Sequence, residues 1–310
     1  MSVEPWAMMT VGIAALVAGF VLVWGRLHAS SGAARILLLG PVFEAAALAV
    51  FAAEHFTAAR ALMSIVPRWL PDPLFWTYFV GACLLAAAVS FIAGRHVRWS
   101  ASLLALLFLI IVATVDLPNI SRGMHDRLFW ILTVRELSFA AGAMVLAGST
   151  WPPLSGANRA LTTVGRTIVA LVMIFYGIEH FLHPGLVTGV PLAKPTPAWM
   201  PAPVLFAYVV GISLAIAGVG LLLRRTTRLA AAACGTVLLL LTVFFYGSIL
   251  AVDLRTAASN SALVVEGLNY VFDTMLFAAT VLLAGLGREE EHAGAGTQTV
   301  AETASVLTSR

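Results

Sequence analysis

The chain carries Glu54-His55-Phe56, a loop, then Trp69-Leu70-Pro71-Asp72-Pro73 and Tyr78-Phe79-Val80-Gly81. Further along it carries Glu179-His180-Phe181, a loop, then Trp199-Met200-Pro201-Ala202-Pro203 and Tyr208-Val209-Val210-Gly211. Both stretches read E-H-F, a loop, and W-x-P-x-P-x4-Y-x-V-G. Twelve residues separate Phe56 from Trp69 and seventeen separate Phe181 from Trp199, so the second loop is five residues longer. So many uncommon residue types in one order point to an internal duplication.

The rest of the chain says what is duplicated. It is 60% hydrophobic and 11% charged, with a mean hydropathy of +0.95, whereas a water-soluble domain is about 25% charged. The composition predicts a multi-pass helical membrane protein, because a helix satisfies its own backbone groups in lipid. In that setting a net charge of +3 and a pI near 9.2 point to arginine-rich loops and not to nucleic acid. Cys83 and Cys234 each stand alone in an apolar run, with no C-x-x-C for a thiol relay. They read as small packing residues.

Nine apolar runs fall near 6–24, 36–56, 75–93, 101–116, 128–148, 164–182, 203–222, 229–250 and 263–285. The first has no Lys or Arg ahead of it, and Arg26 and Arg35 follow it. That order predicts a retained helix with its N-terminus outside, not a cleaved signal peptide. On alternating loops, Arg26, Arg35, Arg95, Arg98, Arg159, Arg166, Arg224, Arg225, Arg228 and Arg288 share one side; Arg60, Arg68, Arg122, Arg127, Lys194 and Arg255 share the other. The bias predicts a cell (plasma or inner) membrane protein with a cytoplasmic C-terminus and both E-H-F loops outside.

The expected organisation is a first helix and linker (1–34), a four-helix unit (35–148), a linker (149–163), a second four-helix unit (164–285) and a disordered tail (286–310). Later landmarks extend the repeat. Asp116 aligns with Asp253, Leu146-Ala147-Gly148 with Leu283-Ala284-Gly285, and Glu136 then stands opposite Asp273. An even number of spans per unit gives both copies one orientation, a parallel repeat.

Charged side chains inside spans cost about 2.5–3.5 kcal/mol each on insertion scales and mark function by default. Glu44, Arg135, Glu136 and Asp273 lie deep in their runs, and Arg135 is expected to pair with Glu44 or Glu136. If each unit closes as its own bundle, two quasi-equivalent clusters form. One holds Glu54, His55, Asp116 and Glu136; the other holds Glu179, His180, Asp253 and Asp273. Helical spacing adds Tyr176 one turn before His180, and it puts Glu266, Asn269, Tyr270 and Asp273 on one face of the last helix.

Four readings fit these clusters: a metal site, haem ligation by His55 and His180, a quinone or small-molecule pocket, and hydrogen-bonded bridging that only holds helices together. Consecutive Glu and His point about 100° apart, which argues against a shared metal. No cofactor is fixed by the residues.

With E-H-F, W-x-P and four-span units in hand, the chain resembles the DoxX-like family of small four-helix membrane proteins, once in each half. The resemblance implies membrane redox chemistry beside an oxidoreductase partner. The expectation is a membrane component of a quinone-linked oxidoreductase system. In it, Glu179 and His180 exchange protons with the ligand, Asp253 and Asp273 assist, and Tyr176 or Tyr270 orients it. A proton-coupled carrier and a non-catalytic scaffold are the alternatives. Trp69, Trp199, Tyr78 and Tyr208 are expected as interfacial anchors.

Overall fold

The computed structural model describes residues 3–150, 156–190, 194–256 and 260–286. The tail expected to be disordered lies outside the described residues from 287 onward, as do 151–155 of the linker. Among the described residues nine helices are long and apolar enough to cross a membrane. They are α1 Val3–Ala29, α2 Gly32–Thr57, α3 Pro73–Ala93, α4 Val97–Arg122, α5 Arg127–Ser149, α6 Gly156–Leu182, α7 Pro203–Leu222, α8 Thr227–Thr256 and α9 Ser261–Ala284. Each contains one of the nine runs. The protein is an all-α integral membrane protein.

Local chemistry sets the helix ends. α3 and α7 both begin on the second proline of W-x-P-x-P, where a missing N–H costs nothing. The residue before each proline, Asp72 or Ala202, turns the chain with φ near +47° or +46°. Asp72 repays that conformation by accepting a hydrogen bond from Phe75 N at 3.2 Å. Ala202 has no side chain to do so. α4 and α8 each carry a π turn, at Val112–Asp116 and Leu241–Tyr246. The π turns end on Asp116 and Tyr246, and both side chains are buried. Asp116 thus ends its π turn as Tyr246 ends the other, whereas the sequence landmarks pair Asp116 with Asp253. The ladder gains its offset between the π turn and the following helix, where α8 runs longer than α4.

The two E-H-F stretches share local contacts at the end that carries them, called here the motif end. Phe56 stacks on Tyr78 (6.1 Å, 18°) and Phe181 on Tyr208 (5.3 Å, 16°). The motif glycine has a reason in each half: a Cβ on Gly81 would lie 2.8 Å from His55 Cβ, and one on Gly211 would lie 2.9 Å from His180 Cβ. No larger residue lets the first two helices of a half cross that closely.

The halves nevertheless do not close as separate bundles. Successive helices pack in order from α2 to α9, and α9 returns to pack on α2. α5, the last helix of the first half, packs on α6 of the second half and on α9. The first and last helices of both halves thus make one inner layer. α9 is the most enclosed, from Phe272 to Ala284 almost without interruption. α1 lies against α2 and α9, with Gly12 and Gly19 turned inward. Ile13, Val17, Val21 and Trp24 on its other face, like Ile216 on α7 and Phe244 on α8, point out to lipid. Trp69 and Trp199 are exposed beside the motif end, as interfacial anchors are.

Candidate functional site

The inner layer carries the charges. Arg135 of α5 donates from one terminal nitrogen to Asp273 Oδ2 at 2.7 Å and from the other to Glu136 Oε1 at 3.0 Å. Its expected pairing with Glu136 is found, and its second partner is Asp273 of the other half. Glu44 is elsewhere, fully enclosed in α2 with Oε2 unpartnered. One helical turn from Asp273, Asn269 Nδ2 donates to Glu54 Oε1 at 2.8 Å, again across the halves. Arg127, at the start of α5, donates from Nε to Glu179 Oε2 at 2.6 Å. Each motif glutamate therefore reaches into the other half. The expected separate clusters do not form, because α5 and α9 are shared between the halves.

Each motif histidine turns away from its glutamate, as consecutive positions on a helix must. His55 Nδ1 donates to Phe51 O at 2.8 Å, and His180 Nδ1 to Tyr176 O at 2.5 Å. A carbonyl only accepts, so the proton sits on Nδ1 and Nε2 is an acceptor. In the second half that acceptor is used: Gly189 N donates to His180 Nε2 at 2.9 Å. The hydroxyl of Tyr246 donates to Thr188 O. One peptide group, Thr188–Gly189, is thus held at both its polar atoms. The longer loop makes this reach possible. It folds inward so that Val187, Thr188, Gly189 and Val190 are all buried, and irregular backbone is tolerated at that depth because protein surrounds it. Gly189 adopts φ +102° with Leu241 pressed against it, a place for glycine alone.

The returning limb of this loop brings Lys194, the chain's single lysine, over the last helix. Its Nζ lies 2.8 Å from Glu266 Oε1 and 5.2 Å from the Tyr270 ring centre. Tyr270 donates to the same Glu266 oxygen at 3.4 Å. Beneath this pair is a cavity of about 310 Å³ lined by Ala262, Val265, Glu266, Asn269, Tyr270 and Asp273. The expected face of the last helix supplies every residue that lines this open hollow. Asp273, paired with Arg135, is its more enclosed acid, and Glu266, paired with Lys194, its more open one. Asn269 Oδ1 is buried beside it without a donor.

The remaining expected residues stand apart. Tyr176 is fully buried on α6, its hydroxyl donating to Ile131 O at 3.1 Å and its ring meeting Phe277 edge-on at 5.3 Å. Asp253 lies near the rim, within electrostatic reach of Lys194 and Glu266. Asp116 lies within electrostatic reach of Glu136 and Arg135. Among the described residues no three His, Cys, Asp or Glu side chains are grouped to hold a metal ion. Arg166, counted above with the loop arginines, is buried in α6. It donates to Ala284 O and Leu286 O at 2.9 and 2.7 Å, capping the C-terminus of α9. Sequence reasoning missed Lys194, Arg127 and the Thr188–Gly189 peptide. The five-residue insertion and the lone lysine were their only signals.

Residues 161–247 match the DoxX family, spanning most of α6 through the second π turn. Residues 44–127 match a family described as Domain of unknown function (DUF8561), spanning α2 to the first residue of α5. No curated protein and no solved structure matches the chain.

Proposed function

We propose, from the premise that residues 161–247 form a DoxX-family domain, that this protein binds a quinone head group in the cavity along α9 as the membrane component of an oxidoreductase system. The observation that carries the reading is the pairing of a donor and an acceptor on one cavity wall. The Tyr270 O–H makes only a long 3.4 Å contact with Glu266 and can turn to a carbonyl, and Asn269 Oδ1 is a buried acceptor suited to a quinol O–H. The volume is at the small end of ligand pockets and suits a single ring, with the isoprenoid tail left in lipid.

Reduction of a quinone takes up two protons with two electrons. The electrons belong to a partner oxidoreductase; the protons are this chain's task. Asp273, joined to Glu136 through Arg135, is the more enclosed acid of the cavity, and Glu266 is the more open one. Proton exchange is assigned to these groups in preference to Glu179 and His180, because Asp273 and Glu266 line the hollow and Glu179 and His180 do not. The motif end faces outward in a plasma or inner membrane on this reading, in keeping with the arginine bias.

The test is titration of ubiquinone-1 and menadione into the full chain in lipid nanodiscs, read by quenching of intrinsic fluorescence. Tyr270→Phe is expected to weaken binding about five- to tenfold, the loss of one hydrogen bond. Asp273→Asn is expected to leave binding measurable but abolish proton uptake at the quinone when an added chemical reductant supplies the two electrons. Equal quinone affinity in wild type and Tyr270→Phe overturns the reading. A proton-coupled carrier is favoured by one observation, the unpartnered Glu44 set ten residues beyond Glu54 toward the opposite end of α2; proton-driven uptake lost in Glu44→Gln would establish it.

A further inference from the structure

The long loop of the second half is tied to the cavity on α9 through both of its limbs. On the outgoing limb, Tyr246 donates to Thr188 O. The Tyr246 ring in turn stacks on that of Tyr270, with centres 6.0 Å apart and planes 17° apart. On the returning limb, Lys194 reaches Glu266 at 2.8 Å. Tyr270 and Glu266 both line the cavity. The limbs are also joined to each other. Val187 N donates to Lys194 O at 3.0 Å, Thr196 N donates to Gly185 O at 2.9 Å, and Leu186 and Pro195 form an antiparallel bridge. The loop is thus a strap fastened to the cavity directly by Lys194 and indirectly by Tyr246. Its remaining fastening is His180, whose Nε2 accepts from Gly189 N at 2.9 Å while Nδ1 donates to Tyr176 O.

We propose that a proton opens this strap: neutral His180 holds it on the cavity, and a second ring proton, on Nε2, releases it. The chemistry is that of one atom. Nδ1 already carries the proton given to Tyr176 O, so only the neutral ring has an acceptor at Nε2. A second proton turns that acceptor into a donor aimed at another donor, the Gly189 N–H, where a buried group left unmatched is costly. The charged groups in reach of the ring are Glu179 and Arg127. They are paired at 2.6 Å, with His183 Nε2 3.8 Å from the same carboxylate oxygen. The other elements around the grip present uncharged residues: Gly211 of α7, Tyr246 of α8 and Thr274 of α9. The Glu179–Arg127 pair largely cancels at the ring, so the proton enters against burial and the Gly189 hydrogen bond. Releasing the loop relieves both. The strap is therefore held at neutral and alkaline pH and let go in acid. Release takes Lys194 from Glu266 and the support of Tyr246 from Tyr270, which loosens the cavity wall. That control of ligand affinity rests on the quinone reading; the strap and its proton do not.

The experiment is hydrogen–deuterium exchange at Gly189 and its neighbours in the full chain in nanodiscs, first without ligand. Protection is taken relative to the intrinsic rate at about pH 8 and at about pH 5, either side of the ordinary histidine value near 6.5. In the wild type it is expected to fall about tenfold or more at the lower pH. His180→Gln keeps an acceptor near the place of Nε2 and does not titrate, so it should stay protected at both. Tyr246→Phe frees the Thr188 carbonyl but leaves the imidazole, so its protection should be lower and still fall in acid. Equal wild-type protection at the two pH values overturns the proposal. So does the same acid loss in His180→Gln, which would place the effect in Glu179, His183 or Glu266. Ubiquinone-1 affinity should weaken about fivefold over the same step in the wild type and hold steady in His180→Gln. Affinity that ignores the step while Gly189 responds overturns the control of the cavity. A chain that binds no quinone overturns the quinone reading and leaves the exchange result standing.

Discussion

Arg135 shows how a single residue is made tolerable inside a membrane. Alone it would be expelled; with Asp273 at 2.7 Å and Glu136 at 3.0 Å it joins α5 to α9. Removing one member of such a group leaves buried charge, which costs about 3–5 kcal/mol, whereas replacing all members by apolar residues is often close to neutral. Arg135→Ala is therefore expected to lower unfolding stability by that amount in a detergent titration. The triple change Arg135→Met, Glu136→Leu, Asp273→Leu should recover most of the loss while removing the groups to which proton exchange is proposed to belong. A triple variant as unstable as Arg135→Ala would show that the ions stabilise the fold beyond what apolar packing can replace. The sequence marks Arg135, Glu136 and Asp273 as buried charges through composition alone. Which acid meets the arginine is not legible, since Glu44 satisfies the same rule and lies elsewhere.

Among the elements, the loop between α6 and α7 separates the two halves most clearly. Five extra residues let it turn inward, and His180 and Tyr246 hold it there. His180→Ala removes the acceptor for Gly189 N–H. Amide exchange at Val187 to Val190 should then rise tenfold or more, following the loss of a buried hydrogen bond. His55→Ala should leave exchange in the loop before α3 unchanged, because that loop makes no such bond. Unaltered protection in His180→Ala would sink the account of the motif histidine as a loop anchor. The matching histidines are plain in the sequence. Their different duties are not, because the duty depends on whether a loop peptide arrives at Nε2.

For the whole molecule, the closing of α9 on α2 and the packing of α5 on α6 make the halves mutually dependent. Produced alone, residues 1–150 would turn Glu54 and Arg135 toward lipid without Asn269 and Asp273, and the charged groups would be unpaired. Each half expressed alone is expected to be degraded or aggregated, and coexpressed halves should copurify as one complex. A first half that is stable and monodisperse by itself would show that the inner layer is not shared in the way described.

Hydropathy determined the number, limits and nature of the helices, because a bilayer imposes a length and an apolarity that any sequence must meet in plain view. The repeated motif likewise determined the local pairs it encodes: Phe on Tyr, Gly beneath His, and Pro at the start of the next helix. Only the tertiary structure decided which polar groups meet. Burial in a membrane favours a partner for each charge, but partner choice depends on helix rotation and on which helices are neighbours. Those were settled by the shared inner layer, which sent Glu54 to Asn269, Glu179 to Arg127 and Arg135 to Asp273.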